Sequence, residues 1–229
     1  MNNHLKIFVL IAIVALISSG CFLKSAHPLI TSQNVKMMEG IEGVYESKDT
    51  RWTFASDKTP EVIAQIIKSY PSDDVSFDPG ETDSLGFPGY LILREKPDEP
   101  NFNPEIYIGM TGEIDGTYYL NLKLFEVDLE VNSTFANSHR LNVNTFSKVQ
   151  LQNDRLVIEP FASSWIRDLI SNNQVRIKHE RMYSEFDDSS EILITASSDE
   201  LHKFVSKYGN EENAYEDPII LEKMSPINE

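Results

Sequence analysis

The stretch EIYIGMTGEIDGTYYLNLKLFEVDL, residues 105–129, constrains this chain more than any other. Asp115-Gly116 lies near its middle. A tight turn of that composition takes positive φ at both central positions and twists as its flanking strands do. Beyond the turn, Tyr118, Leu120, Leu122 and Leu124 fall on one face, and Tyr119, Asn121, Lys123 and Phe125 on the other. Side chains alternate in this way only along a strand. The segment therefore predicts a long β-hairpin, and it needs partners, because an isolated hairpin is at best marginally stable in water.

Those partners are legible on both sides of it. GVYES and TRWTFAS predict a hairpin across Lys48-Asp49. RLNVNTFSKVQL and RLVIEPF predict another across Gln152-Asn153-Asp154. VRIKHERMY and EILITAS flank the polar loop EFDDSS, and GYLILREK and PIILEK read as single strands. The three prolines of PDEPNFNP cannot join a ladder, so this segment is a loop.

The period changes in three places. TPEVIAQIIKSY predicts a helix with Thr59 as N-cap and Pro60 at the first position. SSWIRDLISNN predicts a short helix capped by Ser163 or Ser164. In SSDELHKFVSKYG, Ser197 and Glu200 fit a capping box, Leu201, Phe204, Val205 and Tyr208 share a face, and Gly209 suits the C′ position. The expected fold is mainly β (α+β): a curved antiparallel sheet forming a small barrel or sandwich, with about three short helices over nine or ten strands.

Composition excludes several functions. The 229 residues carry 36 acidic and 20 basic side chains, a net charge of -16, so phosphate backbones would be repelled and no nucleic-acid partner is expected. Cys21 is the only cysteine, which rules out an internal disulfide and cysteine-rich zinc sites. The sequence contains no nucleophile elbow, no H-E-x-x-H, no P-loop and no dinucleotide fingerprint; Gly109, Gly112 and Gly116 have the wrong spacing for the last and fall where a hairpin bends. The histidines His4, His27, His139, His179 and His202 form no close pair, so no metal ligands are assigned. The acidic run from Asp73 to Asp83 lacks the regular spacing of a calcium loop and reads as solvated, as do Glu185-Asp187-Asp188 and Glu211-Glu212. The aromatics Trp52, Phe54, Tyr118, Phe125, Phe146 and Trp165 would either line a ligand cavity in a barrel or fill it.

The N-terminus, MNNHLKIFVLIAIVALISSGC, carries Lys6 before an unbroken apolar run from Ile7 to Ile17. As a helix that run rises about 16 Å, half the ~30 Å of a bilayer core, which suits the hydrophobic part of a secretory leader. Ser19, Gly20 and Cys21 resemble the lipobox of bacterial lipoproteins, with Ser18 where leucine is usual. The resemblance implies cleavage after Gly20 and diacylation of Cys21, with the covalent lipid the sole attached group and no cofactor. At ~0.8 kcal/mol per buried CH₂, two acyl chains anchor stably where one is marginal. It also implies residence in the cell envelope, and Phe22 rather than aspartate after the cysteine implies the outer membrane, facing the periplasm. The expected organisation is a leader over 1–20, a lipidated tether over 21–40 pinned by Leu29 and Ile30, and one β-rich domain over 41–229. Loss of Lys6 with the leader takes the charge from -16 to -17.

The remainder is similar to a group of bacterial envelope lipoproteins. The likeness rests on PLI after the cysteine, Gly43-Val44-Tyr45, Trp52-Thr53-Phe54, His139 opening a strand, Trp165 in a short helix, and ILITASSDELHKFVSKY. That group carries no established activity, so it implies no catalytic residue. The leading expectation is a membrane-anchored, non-enzymatic domain that binds a protein or envelope component. The alternatives are a lipocalin-like carrier or sensor of a small apolar ligand, and a hydrolase assembled from scattered carboxylates with His139 and His179.

Overall fold

The computed structural model describes residues 22–68, 87–99, 102–125, 142–183 and 190–224. In chain order its elements are β1 (Lys24–Ser25), β2 (Gly43–Glu46), β3 (Arg51–Ala55), α1 (Pro60–Lys68), β4 (Tyr90–Glu95), β5 (Glu105–Ile114), β6 (Thr117–Leu124), β7 (Asn144–Gln152), β8 (Arg155–Pro160), α2 (Ser163–Ser171), β9 (His179–Tyr183), β10 (Ser190–Ile194), α3 (Ser198–Tyr208), a 3₁₀ turn (Glu212–Ala214) and β11 (Ile219–Lys223).

Eight strands close an antiparallel barrel in the order β6-β5-β4-β3-β2-β11-β8-β7, sealed by β6 against β7 from Tyr119↔Lys148 to Lys123↔Asn144. The expected hairpins form. Asp115 and Gly116 sit at φ 50 and 81, and Asn153 turns β7 into β8 at φ 55. The other three strands extend the wall. Past Ser147↔Pro160, the last rung of β8, β1 takes over the edge of β7 at Asn144 and Thr145. It then pairs parallel with β10, and β10 pairs antiparallel with β9.

The strand period sorts side chains into separate cores. One face of the wall points inward, where Tyr45, Trp52, Phe54, Tyr90, Ile92, Leu120, Leu156, Ile158 and Leu221 pack as one buried cluster. Ring contacts join it: Tyr45 to Phe54 at 5.8 Å, and Trp52 and Tyr90 each to Phe54 at 6.4 Å. Burial pushes the phenols of Tyr45 and Tyr90 up to about 12. Gly109 permits this density, because a Cβ there would meet Ile92 Cδ1 at 2.4 Å. On the outer face Leu91, Leu93 and Ile106 are covered by Ile63 and Ile66 of α1. A third cluster holds Tyr119, Phe146, Phe161, Ile192 and Ile194 against α2 and α3.

Leu29 and Ile30 are buried, as the expected pins of the 21–40 segment, and Leu23 and Met38 are buried with them. Other local expectations are corrected. The cap of α2 is Ala162, not Ser163 or Ser164, because its backbone N–H is already drawn to Ala214 O at 2.9 Å and fixes the extended residue there. Thr59 does stand in the N-cap position before Pro60, its carbonyl accepting from Ile63 N at 3.2 Å, while its hydroxyl donates to Ser56 O at 3.1 Å. Gly209 follows α3 with φ -67, so it is not a left-handed cap. It is small because Tyr119 Oη lies 2.3 Å from where its Cβ would be. The capping box of Ser197 and Glu200 is present.

Truncating the ring at the centre of the interior cluster should empty space that the barrel wall cannot collapse into. We expect Phe54→Ala to cost about 3–5 kcal/mol in urea denaturation, against under about 1.5 kcal/mol for Phe54→Leu.

Candidate functional site: the gripped N-terminus and a basic cleft

The first feature begins where the lipobox resemblance ends. Cys21 and Gly20 lie outside the described residues; Phe22 is the first within them. Phe22 bridges to Ala162, and Leu23 N donates to Phe161 O at 3.0 Å. Lys24 Nζ pairs with Glu191 at 2.5 Å, and Ala26 N donates to Ile194 O at 2.8 Å. Further along, buried polar side chains of the barrel wall take over. Leu29 N donates to Asn121 Oδ1 at 2.9 Å, and Asn121 Nδ2 donates to Asn144 Oδ1 at 3.1 Å. Thr111 Oγ1 donates to Lys36 O at 2.7 Å. Met38 N reaches Tyr90 Oη at 2.9 Å, and that hydroxyl donates back to Met38 O at 3.1 Å. Gly112 leaves room for the strap, since a Cβ there would meet Ile30 Cδ1 at 2.6 Å.

Buried polar groups are costly unless satisfied. Thr111, Asn121 and Asn144 are each at most 5% exposed. Here the strap's backbone satisfies Thr111 and Asn121, so wall and strap neutralise each other's donors and acceptors. Polar residues inside the Asp115-Gly116 hairpin were the one sequence signal of this grip, and Asn121 reads only as a face residue without knowing what covers it.

The second feature is a cleft of about 780 Å³ between residues 173–179 and α3. Asn173 turns the chain out of α2 at φ 55, Gln174 N donates to Leu169 O at 2.8 Å, and the segment runs on to β9 at His179. Its side chains alternate: Val175 and Ile177 are half-buried, Arg176 and Lys178 exposed. Helical spacing brings Lys203 and Lys207 of α3 to the opposite rim, over Phe204 and Tyr208. The lining thus has four cations, Arg176, Lys178, Lys203 and Lys207, and one carboxylate, Glu200. Glu200 is already engaged, with Lys178 Nζ at 3.1 Å and Ser197 N at 2.9 Å. The Ser197 backbone N–H first, then Lys178, hold its carboxyl down to about 2.

The structure brings few of the sequence candidates together. His179 lines the cleft, with Nδ1 2.8 Å from Ile177 O, but Glu200 is the only carboxylate beside it there. His27 and His202 stand apart from it, and His139, the run 73–83 and the Glu185-Asp187-Asp188 cluster lie outside the described residues. Among the described residues no three His, Cys, Asp or Glu side chains gather as a metal site. The aromatics divide: Trp52 and Phe54 are in the barrel, Phe146 and Trp165 in the core under α2 and α3, and Phe125 packs at the α1 face. Tyr118 packs against the barrel cluster, half-buried. A further cleft of about 630 Å³, between α1 and β2–β4, is also outside the barrel wall. Among the described residues no helix is long and apolar enough to cross a membrane. No family model, curated protein or solved structure matches the chain.

Removing the Asn121 acceptor strands the Leu29 N–H in an apolar setting, at a cost of about 1–3 kcal/mol. Asn121→Ala should therefore speed amide exchange across residues 23–38 more than in β3 and β4, as read by mass spectrometry. Glu200 carries a depressed pKa, so its contribution to stability is complete above the ordinary value of 4.5 and is lost as the pH falls toward about 2. Denaturation midpoints of the wild type and Glu200→Gln should converge across that interval and differ above it.

Proposed function

We propose that this chain is a lipid-anchored envelope domain whose task is non-enzymatic binding through its outer surface. Lipidation at Cys21, after cleavage behind Gly20, would attach it to the membrane, with the outer membrane the expected site and the periplasm the compartment it faces. The observation that carries this reading is the grip on Phe22 and Leu23 by Ala162 and Phe161. A folded body that takes hold of the chain one residue after the acylated position, ~3.8 Å of backbone, has no slack. Its acyl chains therefore set both its location and its orientation. The packed rings of Tyr45, Trp52, Phe54 and Tyr90 favour surface binding over carriage of an apolar ligand inside the barrel. An envelope protein is the favoured partner.

Fractionation tests the anchor. Cys21→Ser should move the protein out of the membrane fraction and abolish incorporation of labelled palmitate. Membrane association and labelling that survive the substitution would refute the anchored reading.

A further inference from the structure

The cleft beside α3 inverts the charge of the molecule that carries it. The whole chain stands at -16, yet the cleft's lining holds four cations against one carboxylate, and that carboxylate is neutralised by Lys178. Among the described residues neither Arg176 nor Lys203 has an ion-pair partner, and Lys207 lies over the Tyr208 ring at 4.7 Å. All four cations are exposed, so desolvation costs them little, and with Lys178 engaged by Glu200 the other three are open to an arriving anion. Between the two rims runs an apolar floor of Val175, Ile177, Phe204 and Tyr208. A free inorganic anion would use the rims and gain nothing from that floor. A purely apolar ligand would use the floor and leave the rims idle.

Strand direction then separates a membrane headgroup from a polypeptide. β1 runs parallel to β10, with Lys24 beside Leu193 and Ser25 beside Ile194. Backwards from Lys24 the chain heads for Cys21, toward the start of β10. The cleft is at the other end, where Ile194 pairs with His179 and α3 follows. Phe22 is thus three residues, ~10 Å of strand, and two strand spacings, ~9.6 Å, from the level of His179. The cleft is at the end of this sheet that the anchor does not occupy.

From this we infer that the cleft between residues 173–179 and α3 docks an acidic polypeptide segment bearing apolar side chains, supplied by a partner protein. The inference rests on the reading of this domain as a surface binder and names the partner's chemistry. Carboxylates of the segment pair with Arg176, Lys203 and Lys207 while its apolar side chains cover Phe204 and Ile177. Repulsion from the acidic surface around it favours the approach of such a segment to this cleft, so specificity and association rate come from the same charges.

The test is fluorescence anisotropy on the full-length mature protein in detergent micelles. The probe is a labelled twelve-residue peptide of repeating Glu-Glu-Leu-Phe, and the same peptide with glutamine for glutamate is the control. Binding should weaken roughly tenfold or more in Lys203→Glu/Lys207→Glu and for the glutamine peptide, and should fall with added salt. The reversal Lys48→Glu/Lys58→Glu, elsewhere on the surface, should leave it unchanged, and circular dichroism establishes that both double variants are folded. Equal binding of the two peptides, or binding indifferent to Lys203 and Lys207, overturns the proposal. So does flotation of the Cys21→Ser protein, which has no acyl chain of its own, with phosphatidylglycerol vesicles but not with phosphatidylcholine, when the Lys203/Lys207 reversal abolishes it and the peptide fails to bind: that assigns the cleft to a headgroup. Self-association lost on the same reversal, again without peptide binding, assigns it to a second copy. None of these readouts depends on Cys21, so failure here and failure of the fractionation experiment are distinguishable.

Discussion

The satisfaction of buried polar groups in the barrel wall by the backbone of residues 25–38 is the interaction on which the rest depends. Thr111, Asn121 and Tyr90 would each be a defect in a bare wall, since an uncompensated buried amide or hydroxyl costs about 1–3 kcal/mol. The strap needs the wall just as much, because an irregular segment cannot be buried without partners for its own N–H and C=O groups. Ser25 illustrates the reciprocity: it is fully buried, and its hydroxyl donates to His27 O at 2.8 Å while β1 is held between β7 and β10. Two residues of strand could not persist in isolation. They persist here because they complete two ladders at once.

The strap also joins cores that the wall keeps apart. Leu23, Leu29 and Ile30 belong to the cluster beneath α2 and α3, whereas Met38 and Ile41 belong to the barrel interior. Between them Lys36 crosses at Thr111, with backbone and side-chain bonds of 2.8 and 2.7 Å. A pull on the N-terminus is therefore transmitted to Phe161, Trp165 and Tyr119 rather than dissipated in a loose leader. Under the anchor proposed at Cys21, that would be the difference between a domain that swivels and one that presents a fixed face.

Much of this fold was legible because strand period and turn chemistry are local. Asp115-Gly116 and Asn153 demand positive φ, and the flanking alternation names the inward residues without knowledge of the partner strand. The capping box at Ser197 is local too. The strap was not legible, because its pattern has no period of its own: FLKSAHPLITSQNVKMMEG gains meaning only from distant groups such as Tyr90, 52 residues from Met38, and Ile194, 169 residues from Ser25. Choosing a barrel over a sandwich needed the β6–β7 closure, which joins strands separated by more than a turn's length and follows from sheet curvature rather than from any motif. The caps failed for a related reason. Ala162 and Gly209 are fixed by Ala214 and Tyr119, tertiary neighbours that outvote helix-end preference. The cleft was hidden because its cations come from two elements, and neither Arg176-Ile177-Lys178 nor Lys203-Phe204 is unusual alone.

Net charge misleads for the same reason. A value of -16 describes the far field, which decays within about 8–10 Å in physiological salt. At contact, only the nearest groups count, and at the mouth of the cleft these are Arg176, Lys178, Lys203 and Lys207. The far field of the acidic body repels an acidic partner or a membrane alike, while the cleft attracts at short range whatever is allowed close. The lipid proposed at Cys21 would overcome the first effect for the membrane, since two acyl chains would outweigh that repulsion. An acidic polypeptide has no such anchor and must gain its affinity at the cleft, where the apolar floor adds what screened charges cannot. The same acidic surface therefore discourages unspecific association, while the cleft between residues 173–179 and α3 offers charge and apolar surface together.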